Sequence, residues 1–156
     1  MRRKDREVTS RDEMNSILQL CRTCHVAMLE EDRPYIIPLS YGYKFEGDYL
    51  ILYFHSAKEG KKIDVLIKNN VVGFAISDEG ELILKEIPCD SGYYFSSIVG
   101  TGEVIFVEEI EEKCEALSLI FERQTERKVS FNKEQAQGVL VYKLISKEFT
   151  GKRKAR

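Results

Sequence analysis

The sequence predicts a mainly β domain, an antiparallel barrel of about six strands with flanking helices. Three observations carry this expectation. Apolar, β-branched runs recur along the chain, parted by short Gly, Asp and Glu clusters of the kind that close hairpins. Helical periodicity is sparse and does not alternate strictly with the strands, as a parallel sheet would require. Gly100 and Gly102 stand inside the longest extended run, where a missing side chain permits a bulge, a barrel bend or the close approach of a ligand. At 156 residues and 43% hydrophobic content, a single domain over 1–156 is expected, large enough to bury a real core.

In chain order, Ser10-x-x-Glu13 is a capping box, and Met14, Ile17, Leu18 and Cys21 follow at helical spacing, so a first helix is expected to end near Cys24. Residues 25–29 and 34–45 read as two strands joined by a turn at Glu31-Asp32-Arg33. Glu46-Gly47-Asp48 makes the next tight turn, and 49–54 is the third strand. Ser56-x-x-Glu59 is a second capping box, opening a helix that turns Ile63, Leu66 and Ile67 inward and ends on Asn69-Asn70, residues that tolerate a left-handed terminus. Residues 71–77 form a fourth strand, and 81–87 is open between short strand and loop. Residues 93–107 are the long strand with the two glycines. A long helix is expected over 108–124, its acidic first turn favourable to the helix dipole and its apolar face including Cys114, Leu117, Leu119, Ile120 and Phe121. Residues 138–150 make the last strand, ended by Gly151.

Composition removes several classes of function. A net charge of −2 lacks the basic excess that nucleic-acid binders use to neutralise phosphates. The basic groups near the ends, Arg2, Arg3, Lys4 and Arg6, then Lys152, Arg153, Lys154 and Arg156, read as solvated termini. No apolar run approaches the ~20 residues of a membrane helix, and no signal-peptide core follows Met1, so a cytoplasmic protein is expected. Cys21-x-x-Cys24 has metal-like spacing, but Cys89 and Cys114 do not form the second pair of a zinc knuckle. A redox pair would open a helix, whereas this one closes a helix, so buried thiols are expected. His25, on an apolar strand, reads as a core or interface histidine.

One stretch carries chemistry. Strand 49–54 gives way at His55 to Ser56 and then to Lys58, Lys61 and Lys62, so a helix N-terminus with unpaired N–H groups is surrounded by mobile positive charge. That combination stabilises a phosphate, and the alternative is an ordinary strand-to-helix turn with solvated lysines.

Three stretches resemble the flavin-binding split-barrel superfamily of pyridoxamine-phosphate oxidases, and within it the nitroimidazole-resistance (Nim) group. They are Pro34-Tyr-Ile-Ile-Pro-Leu-Ser-Tyr-Gly-Tyr43, Leu52-Tyr-Phe-His-Ser-Ala-Lys-Glu-Gly-Lys-Lys-Ile-Asp64 and Tyr94-Phe-Ser-Ser-Ile-Val-Gly-Thr-Gly-Glu103. The resemblance implies a split barrel of about six antiparallel strands, assembled as a homodimer with two FMN molecules at the interface. It implies that Ile37, Pro38, Leu39, Ser40, Tyr41, Gly42 and Tyr43 lie along the isoalloxazine edge, with Leu39, Tyr41 or Tyr43 over a ring face. His55, Ser56, Lys61 and Lys62 would hold the phosphate, and Ser97 joins the cofactor set from the third stretch.

The implied function is an FMN-dependent reductase that takes electrons from an unidentified donor to a nitro-aromatic or other small acceptor. His55 is then either the catalytic proton donor and substrate contact or a hydrogen bond to the phosphate. Two alternatives stand beside this: a flavin carrier or sensor without turnover, and a relative that binds haem or a deazaflavin. Pyridoxamine-phosphate oxidases proper end in a Trp- and Arg-rich segment that grips substrate. This chain has no Trp and carries only Lys152-Arg153-Lys154 there, so vitamin B6 oxidation is not expected.

Overall fold

The computed structural model describes residues 3–155. In chain order the strands and helices are β1 Glu7–Val8, α1 Arg11–Leu20, β2 Thr23–Glu30, β3 Arg33–Ser40, β4 Gly42–Glu46, β5 Tyr49–Ser56, α2 Lys61–Lys68, β6 Val71–Ser77, β7 Glu81–Ile83, β8 Gly92–Phe106, α3 Ile110–Thr125, α4 Lys133–Gln137 and β9 Leu140–Lys154. The main sheet runs β3-β2-β6-β8-β9-β5-β4, with β1 added to the end of β9 and β7 to the start of β8. Every pairing is antiparallel. The antiparallel barrel with flanking helices is therefore the observed architecture, with nine strands instead of about six.

The path of hydrogen bonds is not closed, yet its two end strands are consecutive in the chain. Only Tyr41 separates Ser40, the last residue of β3, from Gly42, the first of β4. Because adjacent Cα atoms lie ~3.8 Å apart, the sheet has to coil until its edges meet at Tyr41. The expected strand 34–45 is thus two strands on opposite edges of a seam. Tyr41 is fully buried, and its hydroxyl lies 2.9 Å from the carbonyls of both Leu18 and Cys21. Those carbonyls belong to the C-terminal end of α1, where no intrahelical donor remains. Arg123 of α3 donates to the same two, through Nε to Leu18 at 2.8 Å and through Nη2 to Cys21. Helix α1 consequently stops at Leu20, short of the expected Cys24, and Thr23 already begins β2.

Other differences have similarly local causes. Ser56 does not cap α2: it is the last ladder residue of β5, opposite Leu140, and its hydroxyl donates to the Ala57 carbonyl at 2.8 Å. The helix opens instead at Gly60, whose φ of 135° only glycine adopts easily. Ile67, expected inward, is 69% exposed, and Val65 takes the buried position beside Ile63 and Leu66. Asn69 ends α2 in an extended conformation rather than a left-handed one. Strand β9 runs through Gly151 to Lys154, because Met14 and Val8 pack where a Cβ at 151 would sit, Met14 Sδ at 2.7 Å. Lys152, Arg153 and Lys154 are therefore strand residues; Arg153 donates to Ser96 and Ser16 at 3.1 and 2.8 Å. Arg2 and Arg156 lie outside the described residues. Gly102 lies within a register shift between β8 and β9 and Gly100 just before it, where a Cβ would lie 2.6 Å from the Glu148 carbonyl. They serve the bend, with the neighbouring strand filling the space.

Two cores result. One fills the barrel around Leu50, Leu52, Phe54, Phe74, Ile76, Ile98 and Leu144. The other lies between the outside of β5 and β9 and the helices α3 and α4, around Ile51, Tyr53, Leu117, Ile120, Ala136 and Val141.

Candidate functional site

Strand β5 is buried on both faces, and this decides where its last residues point. Leu50, Leu52 and Phe54 enter the barrel core, whereas Ile51 and Tyr53 enter the core under α3. Successive strand residues alternate sides. His55 continues the α3 side and Ser56 continues the barrel side, so two residues expected to share one phosphate face opposite directions.

On the α3 side, His55 and Ser40 meet at the mouth of a cleft of about 300 Å³, near the lower end of small-molecule site volumes. Leu117, Ile120 and Phe121 of α3, with Phe131, Gln135 and Val139, make its walls. The Gln135 side chain is held by the α4 capping box, in which Asn132 and Gln135 bond reciprocally. Gln124, also in the wall, donates to the Arg22 carbonyl at 3.0 Å. His55 is open to solvent on one side and backed by these helices on the other. Partial desolvation and the nearby charge of Lys62 both lower its pKa from the ordinary 6.5, which leaves a neutral imidazole at pH 7.

On the barrel side, Ser56 is 8% exposed and Tyr142, facing Phe54 across the ladder, is 1% exposed. The two hydroxyls are neighbours, and Tyr35 reaches the same end of the barrel. Lys61, the first residue of α2, spreads its ammonium over the Tyr35 ring at 4.8 Å and pairs with Glu30 at 2.8 Å. Tyr142 Oη has no hydrogen-bond partner, the one such buried side-chain atom among the described residues. Two lysines in the first turn of a helix and an unpaired buried hydroxyl beside Ser56 fit a phosphomonoester, which offers several acceptor oxygens and up to two negative charges.

The remaining expected residues are distributed by the seam. Ile37 and Leu39 are half-buried against the barrel core, and Pro38 and Ser40 lie on the open face of β3. Tyr41 has no exposed ring face, and Gly42 is pressed against α3, where a Cβ would meet Ile120 N at 2.6 Å. The covering of a flavin face expected of Leu39, Tyr41 or Tyr43 is therefore not available to the Tyr41 ring. Tyr43, half-buried, opens into a second cleft with Gln19, Glu122 and Arg123. Ser97 does not line the His55 cleft: it sits on β8, paired with Ser77 and Lys152, two strands from β5 and three from β3. His25 is exposed on the open face of β2, between Pro38 and Ala75, and not in the core.

Sequence reasoning passed over Tyr35, Tyr142 and the α4 segment. Tyr142 reads as one more core aromatic, but Asn132-x-x-Gln135 is a capping signature that would have revealed α4. Among the described residues no group of three or more His, Cys, Asp or Glu gathers as a metal site. Burial pushes the Cys21 and Cys24 thiols up to about 11 and about 12, so both stay protonated.

Comparison with known proteins follows the same lines. Residues 10–153 match the family model described as pyridoxamine 5'-phosphate oxidase. A candidate 5-nitroimidazole antibiotic resistance protein from Bacteroides thetaiotaomicron is 30% identical, with a TM-score of 0.77 over 94% of this chain and 85% of that one. A NimC/NimA family protein from Clostridium acetobutylicum (20% identity, TM-score 0.59, 93% and 87% covered) shares the fold. So does an FAD and haem binding protein from Mycobacterium smegmatis (15% identity, TM-score 0.77, 97% and 74% covered). No curated protein matches the chain.

Proposed function

The chain belongs to the pyridoxamine 5'-phosphate oxidase family, and from that premise we propose that it is an FMN-binding reductase of the nitroimidazole-resistance type. The observation that carries this reading is the meeting of Ser40 and His55 at one apolar, ring-sized cleft. Bound FMN supplies the electron transfer to a nitro-aromatic or other small acceptor. The protein's part is to bind, orient and exclude water. Leu117, Ile120 and Phe121 offer an apolar wall to a flat ring, where polar interactions gain strength away from solvent. Neutral His55 presents one N–H donor and one acceptor at the mouth, suited to orient a nitro oxygen and to pass on a proton. Lys61, Lys62 and the N–H groups at the start of α2 hold the phosphate.

The same reading takes the chain as a cytoplasmic homodimer. Ile36, Leu29, Val71 and Val99 are 60%, 44%, 56% and 48% exposed, on the face of β3-β2-β6-β8 that turns away from the barrel core. The four cysteines are free, as a reducing compartment keeps them. Among the described residues no helix is long and apolar enough to cross a membrane.

Purified protein incubated with FMN is expected to show the flavin band near ~450 nm. Photoreduced anaerobically and mixed with a 5-nitroimidazole, it should reoxidise. Failure to take up FMN overturns the cofactor assignment, and a Soret band after haem addition replaces it with the haem alternative. Uptake followed by persistent reduction makes the chain a flavin binder without turnover.

A further inference from the structure

Tyr142 poses a question of design. Its ring packs between Phe54 and Phe106, with centroids 5.6 and 6.1 Å away, and would be replaced by phenylalanine without loss of volume. Its hydroxyl is buried without a well-aligned hydrogen bond among the described residues, and a buried hydroxyl so poorly satisfied destabilises a fold. Packing alone therefore favours Phe at 142. Beside it lies the Ser56 hydroxyl, whose single proton is directed to the carbonyl of the very next residue, Ala57, at 2.8 Å. A hydroxyl carries one donor and two acceptor sites, so Ser56 retains free acceptor capacity toward Tyr142. Beyond Ser56 the chain reaches Gly60, which supplies no side-chain cap to α2. The carbonyl of Gly60 takes the amides of Ile63 and Asp64, which leaves the amides of Lys61 and Lys62 at the open helix start.

We propose that Tyr142 is a positioning residue for the phosphate end of the flavin site: its buried hydroxyl donates to Ser56 Oγ and turns the Ser56 proton from the Ala57 carbonyl to the phosphate. This rests on the assignment of Ser56, Lys61 and Lys62 to a flavin phosphate. Two hydroxyls in series then end on an anion, an arrangement in which each hydrogen bond polarises the next. The phosphate offers this pair of hydroxyls an acceptor other than the Ala57 carbonyl, and a hydroxyl that packing alone does not require is retained for that reason.

The experiment compares FMN with riboflavin, which lacks the phosphate, by flavin-fluorescence titration of wild type, Tyr142→Phe, Ser56→Ala and the double variant. Tyr142→Phe is expected to lose about tenfold in FMN affinity and nothing in riboflavin affinity, while the apo protein unfolds at the same temperature or higher. Adding Ser56→Ala to it should cost little more than Ser56→Ala alone, since the two hydroxyls act as one unit. An unchanged FMN preference in Tyr142→Phe overturns the inference, and so does an equal loss for both flavins, which marks a structural role. Ser56→Ala leaves the buried ring in place and applies the same criterion should Tyr142→Phe fold poorly. A wild-type chain that binds both flavins equally overturns the phosphate assignment itself, and this inference with it.

Discussion

At the scale of single residues, the site is governed by which way each side chain leaves the backbone. His55 and Ser56 are neighbours in sequence and look like one phosphate grip, but strand alternation sends them to opposite faces of β5, each facing the side of a different core. That division is written in the apolar run before them, since Leu50 to Phe54 without a polar interruption is the mark of a strand buried on both faces. What the run does not reveal is which parity faces α3. The His55 imidazole tests the assignment directly. Folding lowers its pKa below 6.5, mainly by desolvation and secondarily through Lys62, so the folded chain binds fewer protons there than the unfolded one. The stability that neutral His55 contributes is present above about 6.5 and is lost as pH falls below that value. Followed by NMR, its midpoint in the free protein should lie under 6.5, and Lys62→Gln should raise it only part of the way. A midpoint that ignores Lys62→Gln would place that lysine away from the histidine. The two lysines differ in commitment, because Lys61 is already paired with Glu30 at 2.8 Å. Replacing Lys61 and Lys62 together with Ala should weaken FMN binding by on the order of tenfold to a hundredfold with the fold intact. Glu30→Gln should strengthen it slightly by releasing Lys61, and an unchanged affinity in both variants would put the phosphate elsewhere.

Among elements, the junction at Tyr41 joins α1, the barrel seam and α3. Its logic is hydrogen-bond accounting: the carbonyls of Leu18 and Cys21 are left over where α1 ends, and Tyr41 and Arg123 supply the donors. Tyr41→Phe should cost about 1–2 kcal/mol in urea denaturation, and Arg123→Met somewhat more, because a charged donor and two buried acceptors lose each other. Gly42→Ala acts differently. Its new Cβ would lie 2.6 Å from Ile120 N and 2.7 Å from Leu119 C, backbone atoms that move only if α3 moves. A cost of about 1–3 kcal/mol is expected together with a changed cleft, since Leu117, Ile120 and Phe121 ride on the same helix. Loss of stability with an unaltered FMN spectrum would separate the seam from the site. The sequence permits the elements themselves to be recognised, because strands and hairpin turns are local patterns. The seam is not local: Tyr-Gly at 41–42 breaks a strand only because a helix some eighty positions later presses on Gly42. For the same reason Gly151 looks like a strand end and is in fact a strand interior, emptied for Met14 and Val8.

Taken whole, the molecule is an open-edged barrel whose outer surface is only partly clothed. Helix α3 covers the β4-β5-β9 side, whereas the β3-β2-β6-β8 side presents Ile36, Ala27 and Gly73 in one row and Pro38, His25, Ala75 and Val99 in the next. The barrel class was readable from hairpin spacing and from Gly100 and Gly102, but the uncovered face was not, because Ile36 and Val99 are as apolar as the core residues beside them. Only burial distinguishes them, at 60% and 48% exposed against 3% for Val26. A contiguous apolar face of this kind marks a protein interface. Under the proposed dimer, a second copy seated on this face would lie against Ser40 on β3 and Ser97 on β8, which are three strands apart in one chain. Sedimentation equilibrium should therefore give a dimer for the wild type and a monomer for Ile36→Lys combined with Val99→Lys. Thermal unfolding of the monomer should show no internal packing defect, as both side chains already face water in the isolated chain. FMN affinity should fall with the dimer. A variant that remains dimeric moves the interface to another face, and a monomer that binds FMN as tightly as the wild type confines the flavin site to one chain, with Ser97 outside it.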